Sequence, residues 1–289
     1  MDKLNAYQQQ KSKAERLITI GGIAIVVAVF TYLLVMQSFK LYIALPLGFV
    51  GIILLIIGSV IFSDVSKRFK SEVMTELIKD ELDEGYFSAG KGLSAYDVYS
   101  CEFMKRADRF HSEDYISGKI DGVKFESSDV KLEERHVRHT KNGTRTYYET
   151  YYQGRLFIFD FNKRFDGFVQ VLERGRPQSN RDFNRVQLES VAFNDTFTTY
   201  TTNDHTAFYV LTPHFMEALM DFEQHNRGNI GFSFIENKLY IGINNRRDTF
   251  ELQLYRPINT SLIEEFRRDL LVVKDVVHEL RLNNKIFKK

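Results

Sequence analysis

Two long apolar runs near the start of the chain give the first prediction. They are Leu17–Met36 and Leu41–Phe62, and neither contains an Asp, Glu, Lys, Arg or His residue. As helices they would span roughly 30 and 33 Å, which is the thickness of a hydrocarbon core. Because the short segment Gln37–Lys40 separates them, we predict an antiparallel transmembrane hairpin over residues 17–62. The bilayer is therefore the first expected partner.

Basic residues flank this hairpin unevenly, and they predict its orientation. The connecting loop holds Lys40, whereas the outer flanks hold Lys3, Lys11, Lys13, Arg16, Lys67, Arg68 and Lys70. Positive charge marks the cytoplasmic side of a membrane. We therefore expect a multi-pass protein of the inner membrane, with the tail 1–16 and everything after the hairpin in the cytoplasm. A signal peptide is the weaker alternative, since no small-x-small cleavage pattern follows Met36 and a second span begins at once.

The pattern after the hairpin is helical at first. Apolar residues recur every four positions between Phe69 and Leu77, which predicts a helix over Asp64–Glu84. A second short helix is predicted over Ala95–Arg106. We therefore assign residues 63–110 to a juxtamembrane helical segment.

From residue 111 onwards the pattern favours strands, separated by turn residues such as Asn142-Gly143. The predicted strands are Tyr115–Ile120, Val123–Glu126, Val130–Val137, Thr146–Phe161, Gly167–Leu172, Leu188–Phe193, Phe197–Thr201, Ile230–Ile235, Leu239–Ile243 and Thr249–Leu254. Thr212-Pro213 predicts the start of a helix. Together these elements predict a cytoplasmic α+β domain over 111–289, with one antiparallel or mixed sheet and flanking helices.

The last helix carries a heptad seam. Its apolar residues are spaced three and four apart, at Ile263, Phe266, Leu270, Val273, Val277 and Leu280. The seam covers about two and a half heptads, so we favour packing against the sheet over a coiled coil. Self-association through this helix or through the hairpin remains an alternative, and a homo-oligomer would follow from it.

Turn and apolar residues between Val186 and Glu251 carry a family resemblance. The matching segments are Leu188-Glu189-Ser190, Ala192-Phe193-Asn194, Tyr209-Val210-Leu211-Thr212-Pro213, Phe232-Ser233-Phe234 and Leu239-Tyr240-Ile241. In these segments the chain resembles a bacterial membrane-protein family catalogued as Domain of Unknown Function 3137. The resemblance implies a membrane-anchored α+β domain. It implies no reaction, cofactor or catalytic residue.

Composition and residue spacing limit the kinds of binding site and chemistry that we expect of the chain. The net charge is +1, so there is no global attraction to nucleic acid. Cys101 is the single cysteine, which excludes an internal disulfide and a thiolate metal cluster. His136 and His139 stand three apart behind Glu133, but their position near a hairpin tip among cationic neighbours argues against a metal site. We therefore predict no metal, no cofactor and no catalytic residue.

Basic residues cluster on three predicted loops. They are Arg135, Arg138, Lys141 and Arg145 on the first loop, Arg174, Arg176, Arg181 and Arg185 on the second, and Arg246 and Arg247 on the third. Solvated loops are the plainest interpretation. The next is a surface for anionic lipid headgroups, then one for a protein partner. Nucleic acid is the weakest, although Tyr147 and Tyr148 lie nearby and aromatic rings stack on bases.

Two functional hypotheses follow. The leading one is a non-enzymatic, membrane-tethered binding or scaffold module whose protein partner is unknown. The alternative is a hydrolase-like enzyme at the membrane surface that uses Asp195, Asp204 and His205, within a Thr-rich stretch that could supply a nucleophile. The competing interpretation of Asn203-Asp204 is a turn between two strands.

Overall fold

An antiparallel sheet forms the centre of the fold. The computed structural model describes residues 2–34, 40–140, 143–160, 166–280 and 282. Its helices are α1 (Asp2–Leu34), α2 (Lys40–Glu81), α3 (Ala95–Tyr99), α4 (Val191–Thr196), α5 (Asp204–Val210), α6 (Pro213–His225) and α7 (Thr260–Glu279). Its strands are β1 (Glu84–Ser88), β2 (Arg109–Ile120), β3 (Val123–Thr140), β4 (Gly143–Asp160), β5 (Phe168–Leu172), β6 (Asn184–Val186), β7 (Thr198–Thr201), β8 (Asn229–Ile235) and β9 (Lys238–Asn244).

Within the described residues the strand order is β1-β2-β3-β4-β9-β8-β5-β7-β6, and each neighbouring pair is antiparallel. The α+β prediction is therefore confirmed, with an antiparallel rather than a mixed sheet. β3 and β4 are the longest strands, with 18 residues each. Their length places part of this hairpin beyond both neighbouring strands.

Both faces of the sheet are covered by apolar side chains. Strand residues alternate between the two faces, so each strand supplies both. One face packs on the region around α3 in a cluster that includes Val98, Cys101, Leu132 and Leu156. The other face is rich in phenylalanine, and ring contacts there include Phe222 with Phe232 at 5.8 Å between centroids. The core therefore consists of two layers, one on each side of the sheet.

The chain divides into two compact units. The first contains the residues up to Val73 together with Glu251–Glu265, and the second contains Met74–Phe250 together with the residues from Phe266 onwards. The sheet belongs entirely to the second unit. The predicted boundaries at residues 16, 62 and 110 remain predictions.

In the first unit, α1 and the first part of α2 pack closely as antiparallel neighbours. An ideal Cβ added to Gly21 would lie 2.7 Å from the carbonyl oxygen of Gly51, so glycine permits close backbone approach there. Lys3–Leu34 and Tyr42–Glu81 are long and apolar enough to cross a membrane. The predicted connecting segment Gln37–Lys40 lies mostly outside the described residues.

Several predicted boundaries are wrong. The helix expected to end at Glu84 ends at Glu81, because Gly85 pairs with Gly118 at the edge of the sheet. The second short helix stops at Tyr99 rather than at Arg106. The segments Val123–Glu126 and Val130–Val137 form one strand rather than two.

Two predicted strands are also wrong. Within Leu188–Phe193, the Ser190 side chain accepts a hydrogen bond from the Phe193 backbone and begins α4. Thr249–Leu254 forms no strand in the described structure, because Thr249 bonds to Asp129 instead. Both segments have strand-like composition, and in both a hydrogen bond to a polar side chain selects another conformation.

The seam of the last helix packs within the fold. Phe266 and Val273 are buried, and the Phe266 ring lies 5.5 Å from the ring of Phe250 in an edge-on contact. Lys274 donates a hydrogen bond of 2.9 Å to the Glu81 carboxylate on α2. The seam is therefore part of the core, and packing against the sheet itself stays a prediction.

Candidate functional site

The β3–β4 hairpin continues past the strands on either side of it. The pairing of β2 with β3 ends at Arg109 and Glu133, whereas β3 and β4 remain paired up to Thr140 and Gly143. We call residues 134–140 and 143–149 the arm. Most of its side chains are exposed. Because an isolated two-stranded hairpin is only marginally stable in water, the arm is a natural candidate for an interaction element.

The arm carries a concentration of positive charge. No acidic residue occurs between positions 135 and 148 of the sequence. Arg135, Arg138 and Arg145 are exposed, and Arg138 and Arg145 stand directly opposite each other in the register. Directly opposed like charges destabilise a hairpin, so an anion bound to both would stabilise the arm. Lys141, the fourth predicted basic residue of this loop, lies outside the described residues.

Aromatic contacts order the base of the arm. The Arg109 guanidinium lies 3.4 Å from the centroid of the Tyr148 ring, and His136 stacks on Tyr147 with centroids 5.3 Å apart. Because side chains alternate along a strand, His136 and His139 point to opposite faces of the arm. The two histidines therefore do not converge on a shared metal site.

Strand direction places parts of the other two basic loops at the same end of the sheet as the arm. Arg174 is the second residue after β5, and Arg246 and Arg247 follow β9, at the end where β3 stops and β4 begins. Arg176 is exposed further along the loop after β5. The sequence could not establish this convergence, because it depends on the strand order.

The remaining two predicted basic residues lie elsewhere. Arg181 hydrogen-bonds the Glu102 carboxylate at 2.9 and 3.1 Å, and its guanidinium stacks 3.7 Å above the ring of Phe168 at the other end of β5. Arg185 is exposed on the edge strand β6. The ten predicted basic residues therefore do not form one continuous surface.

A cleft of ≈ 550 Å³ lies at the arm end of the sheet. We call it the glycine cleft, because Gly231 and Gly242, which are register partners in β8 and β9, lie side by side in its lining. The other lining residues are Phe103, Met104, Tyr151, Tyr152, Leu172, Glu173, Arg174, Gly175, Gly228, Asn229, Asn244, Asn245 and Arg246. Arg174 and Arg246, from two of the predicted basic loops, thus meet at one cavity.

A buried charge cluster lies in the centre of the sheet. Arg155 on β4 and Asp129 on β3 are direct cross-strand partners, and their Nη1 and Oδ1 atoms are 3.0 Å apart. Asp114, Asp129 and Asp248 bring carboxylate oxygens within 4.8 Å of one another, which is a spacing that could hold a metal ion. Within this cluster the Arg155 guanidinium already pairs with Asp129, and we assign that contact as a structural ion pair.

Cys101 is unsuited to nucleophilic chemistry. Its side chain is fully buried, and burial raises the pKa of its thiol to about 12. Since the thiolate is the reactive form, the residue acts as a small apolar core residue.

The alternative enzyme hypothesis is not supported by the placement of its residues. Asp195 is exposed on α4, while Asp204 and His205 are exposed at the start of α5. Among the described residues, no hydrogen bond joins any two of the three. The turn interpretation was also wrong, because Asn203 caps the helix that begins at Asp204.

Comparisons with known proteins agree with the sequence resemblance. Residues 150–282 match the model of a family described as protein of unknown function (DUF3137). No curated protein matches the chain significantly. Among solved structures, similarity is found to the crystal structure of the mycobacterial trehalose monomycolate transport factor A, TtfA. That match has 10% identity and a TM-score of 0.41, and it covers 75% of this chain and 95% of the other.

Proposed function

Starting from the DUF3137 match over residues 150–282, we propose that this chain is a membrane-tethered binding protein. In this proposal α1 and α2 cross the inner membrane of a bacterium and leave the sheet unit in the cytoplasm. The arm then binds the anionic headgroups of the inner leaflet. The observation that carries the proposal is the exposed cationic arm, which projects beyond its neighbouring strands.

The tether is supported by the surface of the two apolar helices. Large apolar side chains are exposed along both, including Leu33, Leu34, Tyr42 and Phe49 at 66–80% exposure. A continuous apolar surface of this kind is unfavourable in water and favourable in hydrocarbon. The basic residues that flank the two apolar runs favour the proposed orientation.

The arm has enough charge for a weak headgroup contact. Each Lys or Arg near an anionic membrane surface contributes about 1 kcal/mol. Arg135, Arg138 and Arg145 together would contribute about 3 kcal/mol on that basis. A contact of this strength is sufficient when a tether keeps the domain near the membrane, because tethering raises the effective concentration.

The test follows the arm in the full-length protein reconstituted into lipid nanodiscs. A fluorophore attached through Thr144→Cys reports the distance to lipids that carry a quencher, while buried Cys101 stays unlabelled. We expect quenching in discs with phosphatidylglycerol and none in phosphatidylcholine discs, with a loss of the signal at high salt.

Matched charge variants test whether the arm, rather than another basic region, contacts the headgroups. The triple variant Arg135→Gln, Arg138→Gln and Arg145→Gln should abolish the quenching. A control removes the same charge from the segment after β5 and from β6, through Arg176→Gln, Arg181→Gln and Arg185→Gln, and should retain the quenching. Equal quenching in both triple variants, or none in the anionic discs, would refute the headgroup contact.

A further inference from the structure

We propose that the glycine cleft binds an amphipathic anion. A phosphate or carboxylate group would pair with Arg174 and Arg246, and an apolar body would lie on Phe103 and Tyr152. The inference goes beyond the proposed function, because it concerns a cleft and a single ligand molecule rather than the arm and a membrane surface.

The charge of the cleft favours an anion. Arg174 and Arg246 come from two different loops and are both exposed. Within the part of the chain that the structure describes, neither guanidinium has a hydrogen bond or an ion pair. Glu173 also lines the cleft, but its Oε2 accepts a hydrogen bond of 2.9 Å from the backbone of Ile230. Two arginines against one glutamate leave the lining with a charge of +1.

Arginine is well suited to this role. Its planar guanidinium donates two parallel hydrogen bonds to a carboxylate or phosphate, and these charge-assisted bonds are about twice as strong as neutral ones. Arg174 and Arg246 line the same cleft, and two arginines can share one phosphate group. Asn229 and Asn245 also line the cleft, and their side-chain amides are further hydrogen-bond donors.

The walls of the cleft favour an apolar body on the ligand. Phe103, Tyr151, Tyr152 and Leu172 supply rings and an aliphatic side chain. The Tyr152 hydroxyl donates to the carbonyl oxygen of Arg155 at 3.0 Å, and the Tyr151 hydroxyl donates to the backbone of Lys105. Because both hydroxyls are already engaged, the two tyrosines can offer ring surface to a ligand.

Glycine lets the Phe103 ring pack directly against strands β8 and β9 at the cleft. An ideal Cβ on Gly242 would lie 2.9 Å from the Phe103 ring and 3.1 Å from the Tyr152 hydroxyl. A larger residue at this position would therefore clash with the Phe103 ring and change the shape of the cleft. The volume of ≈ 550 Å³ lies within the range of about 300–1,000 Å³ that is typical of small-molecule sites.

The test measures binding of hexyl phosphate to the full-length protein in phosphatidylcholine nanodiscs by isothermal titration calorimetry, with empty discs as the blank. Inorganic phosphate and hexanol test the two parts of the ligand separately. We expect saturable binding of hexyl phosphate that is at least tenfold tighter than binding of either fragment.

Variants on the same two loops give a matched comparison. Arg174→Gln with Arg246→Gln should weaken hexyl phosphate binding at least tenfold. Arg176→Gln with Arg247→Gln removes the same charge from neighbouring positions that do not line the cleft, and should leave the affinity unchanged. Equal affinities in the two double variants, hexanol binding as tight as hexyl phosphate, or no heat beyond the empty discs would each overturn the proposal.

Two further measurements separate the outcomes. Phosphatidic acid added to the discs competes with hexyl phosphate if the anion that the site binds is a lipid headgroup, and does not compete if it is a soluble molecule. Either result is consistent with the site and identifies the source of the anion. The arm variant Arg135→Gln, Arg138→Gln and Arg145→Gln should leave hexyl phosphate binding intact. Failure of the cleft proposal is therefore distinguishable from failure of the headgroup contact.

Discussion

Arg155 is the residue on which the centre of the sheet most depends. It is buried and donates hydrogen bonds to Asp129 at 3.0 Å, to Thr249 at 3.1 Å and to the backbone carbonyl of Asp114 at 2.7 Å. Its guanidinium also lies 4.8 Å from the centroid of the Phe250 ring. A single cation thus joins two strands to the segment that follows β9.

Replacing Arg155 should be strongly destabilising. In Arg155→Met the Asp129 carboxylate stays buried without its cation, which costs about 3–5 kcal/mol. Adding Asp129→Asn should recover part of that loss, because an amide oxygen still accepts the hydrogen bond from the Thr249 backbone. The measurement is thermal unfolding followed by a thiol-reactive dye, which reacts with Cys101 once the core opens. Arg185→Met, at an exposed position, is the control, and its free energy of unfolding should change by no more than about 0.5 kcal/mol. An equal loss of stability in Arg155→Met and Arg185→Met would contradict the role of the buried ion pair.

The sequence offered one signal for this ion pair. Arg155 stands directly before the apolar run Leu156–Phe159, where a charged residue is unexpected. Its partners could not be inferred, because Asp129 and Thr249 are 26 and 94 positions away and meet it only through the strand order. The glycine cleft was missed for the same reason, although Arg174 and Arg246 were both among the predicted basic residues.

At the scale of elements, α6 was predicted from its local start signal, whereas α4 and α5, which begin at the caps Ser190 and Asn203, were not. Thr212 caps α6 through the backbone of Phe215, and Pro213 occupies the first turn, as expected. The hairpin of β8 and β9 was also predicted correctly, since two alternating apolar runs flank a short turn. Short apolar segments such as Leu188–Phe193 were ambiguous, because a run of this length has no distinct period.

The end of α7 contains an unfavourable carboxylate. Burial raises the pKa of the Glu279 carboxyl above its usual value, and the neighbouring charge of Asp275 raises it further. Its Oε2 is buried without a hydrogen-bond partner among the described residues. Glu279 is also the last residue of the helix, where the helix dipole disfavours negative charge.

Glu279→Gln should therefore stabilise the protein at neutral pH. Because the folded state raises this pKa, it binds the proton more tightly than the unfolded chain does. The resulting contribution to stability is fully present below the unfolded pKa of about 4.3 and is lost as the pH rises through the raised value. We expect a gain of about 0.5 kcal/mol near pH 7 and none below about pH 4.

Thermal unfolding followed by circular dichroism across this pH range measures that gain in full-length protein. Exposed Glu217→Gln on α6 is the control and should change little at any pH. A gain for Glu279→Gln that persists at acid pH would mean that removal of the charge is not its cause.

At the scale of the whole molecule, the chain combines two compact units of different character. One contains the apolar helices, and the other contains the sheet, the arm and the glycine cleft. The two apolar helices could be predicted directly from the sequence, because a hydrocarbon span needs about 20 uncharged residues and leaves a clear pattern. The return of Glu251–Glu265 to the first unit could not be predicted, since it depends on long-range contacts such as the bond from the Ile258 backbone to Gln8.

The central claim is that the chain is tethered through both apolar helices with its arm on the cytoplasmic side. Single cysteines at Ser38 and Thr144 test it most directly, in intact cells that express the full chain, with a membrane-impermeant maleimide. The account predicts that Ser38→Cys is labelled in intact cells and that Thr144→Cys is labelled only after the cells are permeabilised. Labelling of Thr144→Cys in intact cells, with Ser38→Cys protected, would contradict both the orientation and the proposed contact with the inner leaflet.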